Sequence, residues 1–245
     1  MTDPRSRQRG LGMPAASAQE DLEEGAIPPG TFVTPAQLLV NLSDYLAAGR
    51  TPGTTNDRAA FIAAAATGKK VFVPAGQYRF SGAGLDLSRP LFEAASRDDV
   101  DIILDAGGYF IDSNQQWLSM DIRGFNFSGV AGTYGGAVRN RFTGTNVQNE
   151  YIFSENRCIG YTGACVSHNS SDMPLWRVRD NYFQGANSTT SIGLAFPGGT
   201  DTDIISGNDF TLDAVHIQLG VGGNNAYPSD NSFLDFASGT TRVAL

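Results

Sequence analysis

The residues of this chain whose types could do chemistry are mainly carboxylates in its second half: Glu155, Asp180, Asp203, Asp209, Asp213 and Asp235. Two such groups about 5–5.5 Å apart would suit glycoside cleavage with retention, and a wider pair would suit inversion. Asp180 and Asp209 flank a recurring asparagine, one just before Asn181 and one just after Asn208. Stacked repeats would bring both to one corner, so Asp180, Asp209 and Glu155 are the catalytic candidates. The alternative for each is a turn carboxylate, because Asp bonds readily to its own local backbone. His216, in Ala214-Val-His-Ile217, alternates with apolar residues and is expected on the outer face of a strand, at the surface or in a groove. The sequence has no His-Glu-x-x-His, no Gly-x-Ser-x-Gly and no phosphate-binding glycine loop. The balance favours binding without cleavage.

Binding of sugars has its own signature, in which aromatic rings stack on sugar faces and amide side chains read hydroxyls. Trp117, Tyr134, Tyr161, Trp176 and Tyr182 are the candidate aromatics, with Asn140 and Asn187 as polar neighbours. Each ring has packing in a turn or a subunit interface as its alternative. The two cysteines, Cys158 and Cys165, cannot form a zinc site alone; neither adjoins a histidine, although His168 follows Cys165 by three. They are expected to be buried free thiols, and no metal or cofactor is expected.

The elements that position these residues follow from composition and spacing. The chain has 245 residues, 29 of them glycine, with 17% charged and 41% hydrophobic residues. That is enough apolar material for a core, with a turn-rich surface built from uncharged polar groups. A net charge of −8 disfavours nucleic acid or an anionic membrane as the main partner, Arg5, Arg7 and Arg9 being the exception. No apolar run is long enough to span a bilayer, and no apolar segment follows the N-terminal arginines. The protein is therefore expected to be made and assembled in the cytoplasm.

Three regions separate by texture. Residues 1–33 read as a flexible arm carrying the acidic run Glu20-Asp-Leu-Glu-Glu24 and the punctuation Pro28-Pro29-Gly30. Residues 34–67 read as a helical neck or cap. Thr34, Pro35 and Gln37 mark a helix start, Leu39, Leu42 and Leu46 share one face, and Gly49 is the stop. A second helix is expected over 57–66, from an Asn56 cap to Gly68. Strands are then expected at Lys70-Val-Phe-Val-Pro74 and Gln77-Tyr-Arg-Phe80.

Residues 68–245 carry a loose repeat. Ile122-Arg-Gly-Phe-Asn-Phe127, Phe153-Ser-Glu-Asn-Arg-Cys158, Val178-Arg-Asp-Asn-Tyr-Phe183 and Ile205-Ser-Gly-Asn-Asp-Phe210 share one shape, with Ser229-Asp-Asn-Ser-Phe233 a truncated version. Its asparagine recurs at 156, 181, 208 and 231, spacings of 25, 27 and 23 that signal a solenoid. The outer apolar residues should point inward and stack on the next turn, while the asparagine bonds along the stack at a corner. A propeller or sandwich would need two-residue Asn-Gly or Asp-Gly hairpins, which are missing. The expected fold is all-β, a right-handed parallel β-helix of about eight turns after residue 68.

Two resemblances sharpen this reading. Asn56-Asp-Arg-Ala-Ala-Phe-Ile, followed by Gly68-Lys-Lys-Val-Phe-Val-Pro-Ala-Gly-Gln-Tyr78, resembles the opening of the pectate-lyase-like β-helix superfamily, in which a short Ala-rich helix precedes V-x-V-P-A-G-x-Y. It implies the fold but not the chemistry, and the Arg- and Lys-rich motif of that family's lyases is not visible. Ala15-Ala-Ser-Ala-Gln-Glu-Asp-Leu-Glu-Glu-Gly25, followed by Phe32-Val-Thr-Pro-Ala-Gln-Leu38, is similar to a motif of phage tail fibres that links a virion-attachment region to a receptor-binding part. It departs from that motif at Asp21-Leu22 and in the inserted Pro28-Pro29. Together these resemblances imply a homotrimeric fibre or spike of a phage or a phage-like particle such as a gene transfer agent. Its arm would join other particle proteins, and its β-helix would bind bacterial surface polysaccharide. A depolymerising spike and a structural connector are the rival readings.

Overall fold

The computed structural model describes residues 39–144, 150–169, 175–197, 204–220 and 227–237, all within the unit Leu38–Leu245. The arm and the fibre-like motif lie outside the described residues.

The strands alternate small, β-branched and aromatic residues in short runs, so one face of each must find an apolar partner. They find it by stacking in three parallel sheets. The first sheet has eight strands, from Leu39–Asn41 to Tyr227–Ser229; the second has seven, from Gly76–Phe80 to Ser232–Phe233; the third has five, from Tyr109–Ser113 to Val215–Leu219. Each strand pairs in parallel with its equivalent one turn later. The chain is a parallel β-solenoid, as the repeat predicts. Among the described residues the second sheet has seven strands after residue 68, and five turns carry a strand in all three sheets. Eight were expected; turns as long as the 31 residues between Phe125 and Asn156 leave room for fewer.

The inward positions of the repeat stack as expected. Phe92, Ile122, Phe153, Val178 and Ile205 are in register in the first sheet, and Ile102, Phe127, Cys158, Phe183 and Phe210 in the second. All ten side chains are fully buried. Phe183 and Phe210 lie with ring centroids 4.8 Å apart and planes 10° apart, and an aromatic pair of this kind adds about 0.5–1.5 kcal/mol beyond its burial. Cys158 and Cys165 are buried free thiols.

At the N-terminal end, helix α1 (Arg58–Ala65) follows the expected span closely. Gly68, at φ +72°, closes its C-terminus by donating to Ala65 O at 3.0 Å. Its Phe61 packs against Tyr78, Phe80, Phe92 and Phe110. The helix expected ahead of it is not formed across its described part. Leu39–Asn41 is a strand paired with Lys70–Val73, and Leu42–Tyr45 is one 3-10 turn begun by Asn41 Oδ1 accepting from Ser43 N at 2.9 Å. Sheet pairing and full burial of Leu42 outweigh the weak helical preference of so short a stretch. The first sheet therefore begins ahead of residue 68.

Candidate functional site

The corner between the first and second sheets takes two residues in almost every turn: 74–75, 124–125, 155–156, 180–181, 207–208 and 230–231. In the last five of these the tight reversal is made by a left-handed residue, Gly124, Glu155, Asp180, Gly207 and Asp230, with φ between 55° and 75°. The following asparagines turn inward and bond along the stack. Asn156 N donates to Asn181 Oδ1 at 2.9 Å, Asn181 N to Asn208 Oδ1 at 3.0 Å, and Asn208 N to Asn231 Oδ1 at 3.0 Å. Each Nδ2 also donates to a carbonyl of the preceding turn.

This ladder is the floor between two outward rows, one residue before each asparagine and one after. Glu155, Asp180 and Gly207 form one row; Arg157, Tyr182 and Asp209 form the other, in register at the parallel-strand spacing of about 4.8 Å per turn. Between them lies an open groove of about 1000 Å³, bounded on the flanks by Glu93 and Arg123 and at one end by residues 95–98. The three catalytic candidates named from the sequence, Glu155, Asp180 and Asp209, all line it, as does Tyr182.

Glu93 and Arg123 of the groove lining are paired, with Lys70 and Asp121, but several other charged groups there are not. Arg50, Arg79, Arg123, Arg139, Arg141 and Arg177 each meet a carboxylate of the chain. Among the described residues, no hydrogen bond or ion pair engages the side chains of Arg97, Arg157, Asp98, Glu155, Asp180 or Asp209. Arg157 instead lies 5.8 Å from the centre of the Tyr182 ring, whose hydroxyl bonds Gln184 Oε1 at 3.1 Å. Unpaired groups of both signs beside an aromatic ring can receive a ligand rich in hydroxyls, with carboxylates accepting and guanidinium groups donating. Arg97 and Arg157 were missed in the sequence. Arg157 could have been found by aligning the repeats, since it holds the position of Asp209.

The other ligand-binding candidates lie elsewhere. Trp117, Tyr134, Tyr161 and Trp176 are fully buried in the core and offer no ring face to a sugar. Trp176 packs on Phe196 with centroids 4.8 Å apart, and Trp117 on Tyr151 at 5.5 Å. Asn140 is also fully buried and its Oδ1 accepts from Phe142 N at 2.8 Å, a turn-closing role. Asn187 is exposed at φ 54°, away from the groove lining. His216 is buried rather than outward, its Nδ1 lying 3.3 Å from Oδ2 of the buried Asp213. Burial opposes the charge of Asp213 and raises its pKa despite the bond from His216. Asp235 is exposed outside the groove, and Asp203 lies outside the described residues. Among the described residues, no group of three His, Cys, Asp or Glu side chains is placed to hold a metal ion.

Fold and groove together define a parallel β-solenoid with a polar cleft along one corner. No family model and no curated protein matches the chain. Among solved structures, a chain named Geobacillus virus E2 ORF18 is 14% identical with a TM-score of 0.28, the match covering 82% of this chain and 62% of that one. This chain thus spans less than two thirds of that protein's length, and a superposition so loose carries no argument about function.

Proposed function

We propose that the protein is a receptor-binding spike or fibre of a phage or phage-like particle, and that its corner groove binds bacterial surface polysaccharide. The observation that carries this reading is the groove itself. It presents Glu155, Arg157, Asp180 and Asp209, whose side chains take no hydrogen bond or ion pair among the described residues, beside the Tyr182 ring on three successive turns of the stack. A repeating wall at about 4.8 Å suits a linear polymer whose units repeat on a similar scale. The sequence resemblance of residues 15–38 to a tail-fibre motif supports attachment of the arm to other particle proteins, and a homotrimer is part of the same reading. The deciding experiment is size-exclusion chromatography of the purified protein with surface polysaccharide from candidate host bacteria. Co-elution with polymer of unchanged length supports adhesion, and absence of co-elution with any of them overturns it.

One observation favours depolymerisation as a second reading. Glu155 and Asp180 hold equivalent positions on adjacent turns, since Glu155 N bonds Arg179 O at 3.0 Å and Asp180 N bonds Ser206 O at 3.1 Å. Their backbones therefore stand about one strand spacing apart, close to the separation of a retaining carboxylate pair. Shortening of the polymer with time in the same experiment, abolished by Asp180→Asn, would establish this reading over the first.

A further inference from the structure

One corner breaks the two-residue rule. Between Leu91–Ala94 of the first sheet and Val100–Leu104 of the second, the chain takes five residues, 95–99, where each of the other six corners in the described turns takes two. The extra length is not slack. Ser96 Oγ bonds Asp99 Oδ2 at 2.9 Å and accepts from Asp98 N at 3.2 Å, while Ala95 N donates to Val73 O at 2.9 Å. The loop leans over the next turn, since a side chain at Gly124 would already touch Ala94 and approach Arg97 N. Gly124 itself leaves the left-handed position of that turn without a side chain, just where the following turns carry Glu155 and Asp180.

The consequence is a groove with unequal ends. Residues 95–98 stand across it at the N-terminal end and present Arg97 and Asp98 to it, both without a side-chain partner among the described residues. At the other end the corner continues through Asp230 and Asn231 with two residues and no insertion. Among the described residues nothing stands across the groove past Asp209, whereas a polymer bound along the ladder meets the loop in the other direction. We infer that the groove receives the end of a polysaccharide chain, with the terminal sugar against the wall of residues 95–98 and Arg97 within its reach. This inference rests on the polysaccharide reading above and adds which part of the polymer is recognised.

The test uses surface polysaccharide that co-elutes with the protein, separated into short, medium and long fractions and titrated calorimetrically with the full chain. Recognition of an end predicts the same number of protein molecules per polymer molecule in every fraction, and full competition by the shortest fraction. A number rising in proportion to polymer length means binding along the chain and overturns the inference while leaving the polysaccharide reading intact. Failure to bind any fraction overturns both. Deleting residues 96–98 restores a two-residue corner and should turn length-independent stoichiometry into length-dependent stoichiometry. Arg97→Ala keeps the loop and should weaken binding about tenfold, the effect of losing one charge-assisted hydrogen bond, without changing the stoichiometry. An unchanged affinity in that variant removes the terminal sugar from Arg97.

Discussion

Asn181 gives Asn208 two hydrogen bonds onto the same oxygen, one from its backbone N–H at 3.0 Å and one from its Nδ2 at 2.9 Å. Its own Oδ1 serves Asn156 N in the turn before. Asn156, Asn181 and Asn208 thus satisfy the backbone of a neighbouring turn in sites that water does not reach, which is why the residue recurs although Asn is seldom buried. Asn181→Ala leaves Asn156 N without its acceptor and Phe153 O without the Nδ2 donor it has at 2.9 Å. The expected cost is about 3 kcal/mol, since each orphaned buried group costs about 1–3 kcal/mol. Urea denaturation of wild type and variant measures it. A loss below 1 kcal/mol would mean that the ladder decorates the corner rather than holds it.

The groove and the buried aromatics should respond to mutation in opposite ways. Arg157→Gln removes an exposed, unpaired charge and should leave thermal stability unchanged while lowering polysaccharide affinity about tenfold, as the loss of a charge-assisted bond does. Trp176→Ala empties a fully buried site between Tyr151 and Phe196 and should cost about 3–5 kcal/mol of stability. Paired melting curves and binding isotherms separate the two effects. Loss of affinity in a stably folded Trp176 variant would put the ligand against the core face instead.

Gly207 stands where Glu155 and Asp180 stand on earlier turns, but at φ +67° and directly under Asp180 Oδ1. A methyl group there would collide with that oxygen, so Gly207→Ala should swing the Asp180 carboxylate away at a backbone cost of about 1 kcal/mol. The expected outcome is a fall in affinity matching that of Asp180→Asn, with no further fall when the two changes are combined. Simple additivity in that double-mutant cycle would show that Asp180 does not act from its position over Gly207.

Much of this was readable in the residues, and the exceptions have physical causes. The repeat exposed the inward positions and the asparagine ladder because a solenoid imposes the same demand on every turn. It also placed Asp180, Asp209 and Glu155 at one corner. The same parity would have placed Trp176 inside, two residues before the inward Val178, had it been applied beyond the repeat unit. Leu39, Leu42 and Leu46 fit a helical face, yet the stretch is too short for periodicity to outweigh pairing with Lys70–Val73. The long corner at 95–99 has no sequence signal of its own; it emerges only when each corner is counted between paired strands.

His168 provides the pH-dependent prediction. It is fully buried among the rings of Trp117, Tyr151 and Trp176, with centroids 5.6–5.9 Å away. Burial pushes its pKa down from 6.5 to about 4. The folded protein therefore holds His168 neutral at a pH where the unfolded chain already binds the proton. Between these two values the unfolded state carries more protons, so stability falls as pH falls from 6.5 and levels off below about 4. A shift of this size corresponds to about 3 kcal/mol at the acid end. His168→Gln removes the titrating group, whatever it does to stability at neutral pH. Urea denaturation at pH 7 and pH 4 should show wild type losing about 3 kcal/mol more than the variant. Equal losses in the two proteins would place the acid sensitivity in the carboxylates rather than in this aromatic cage.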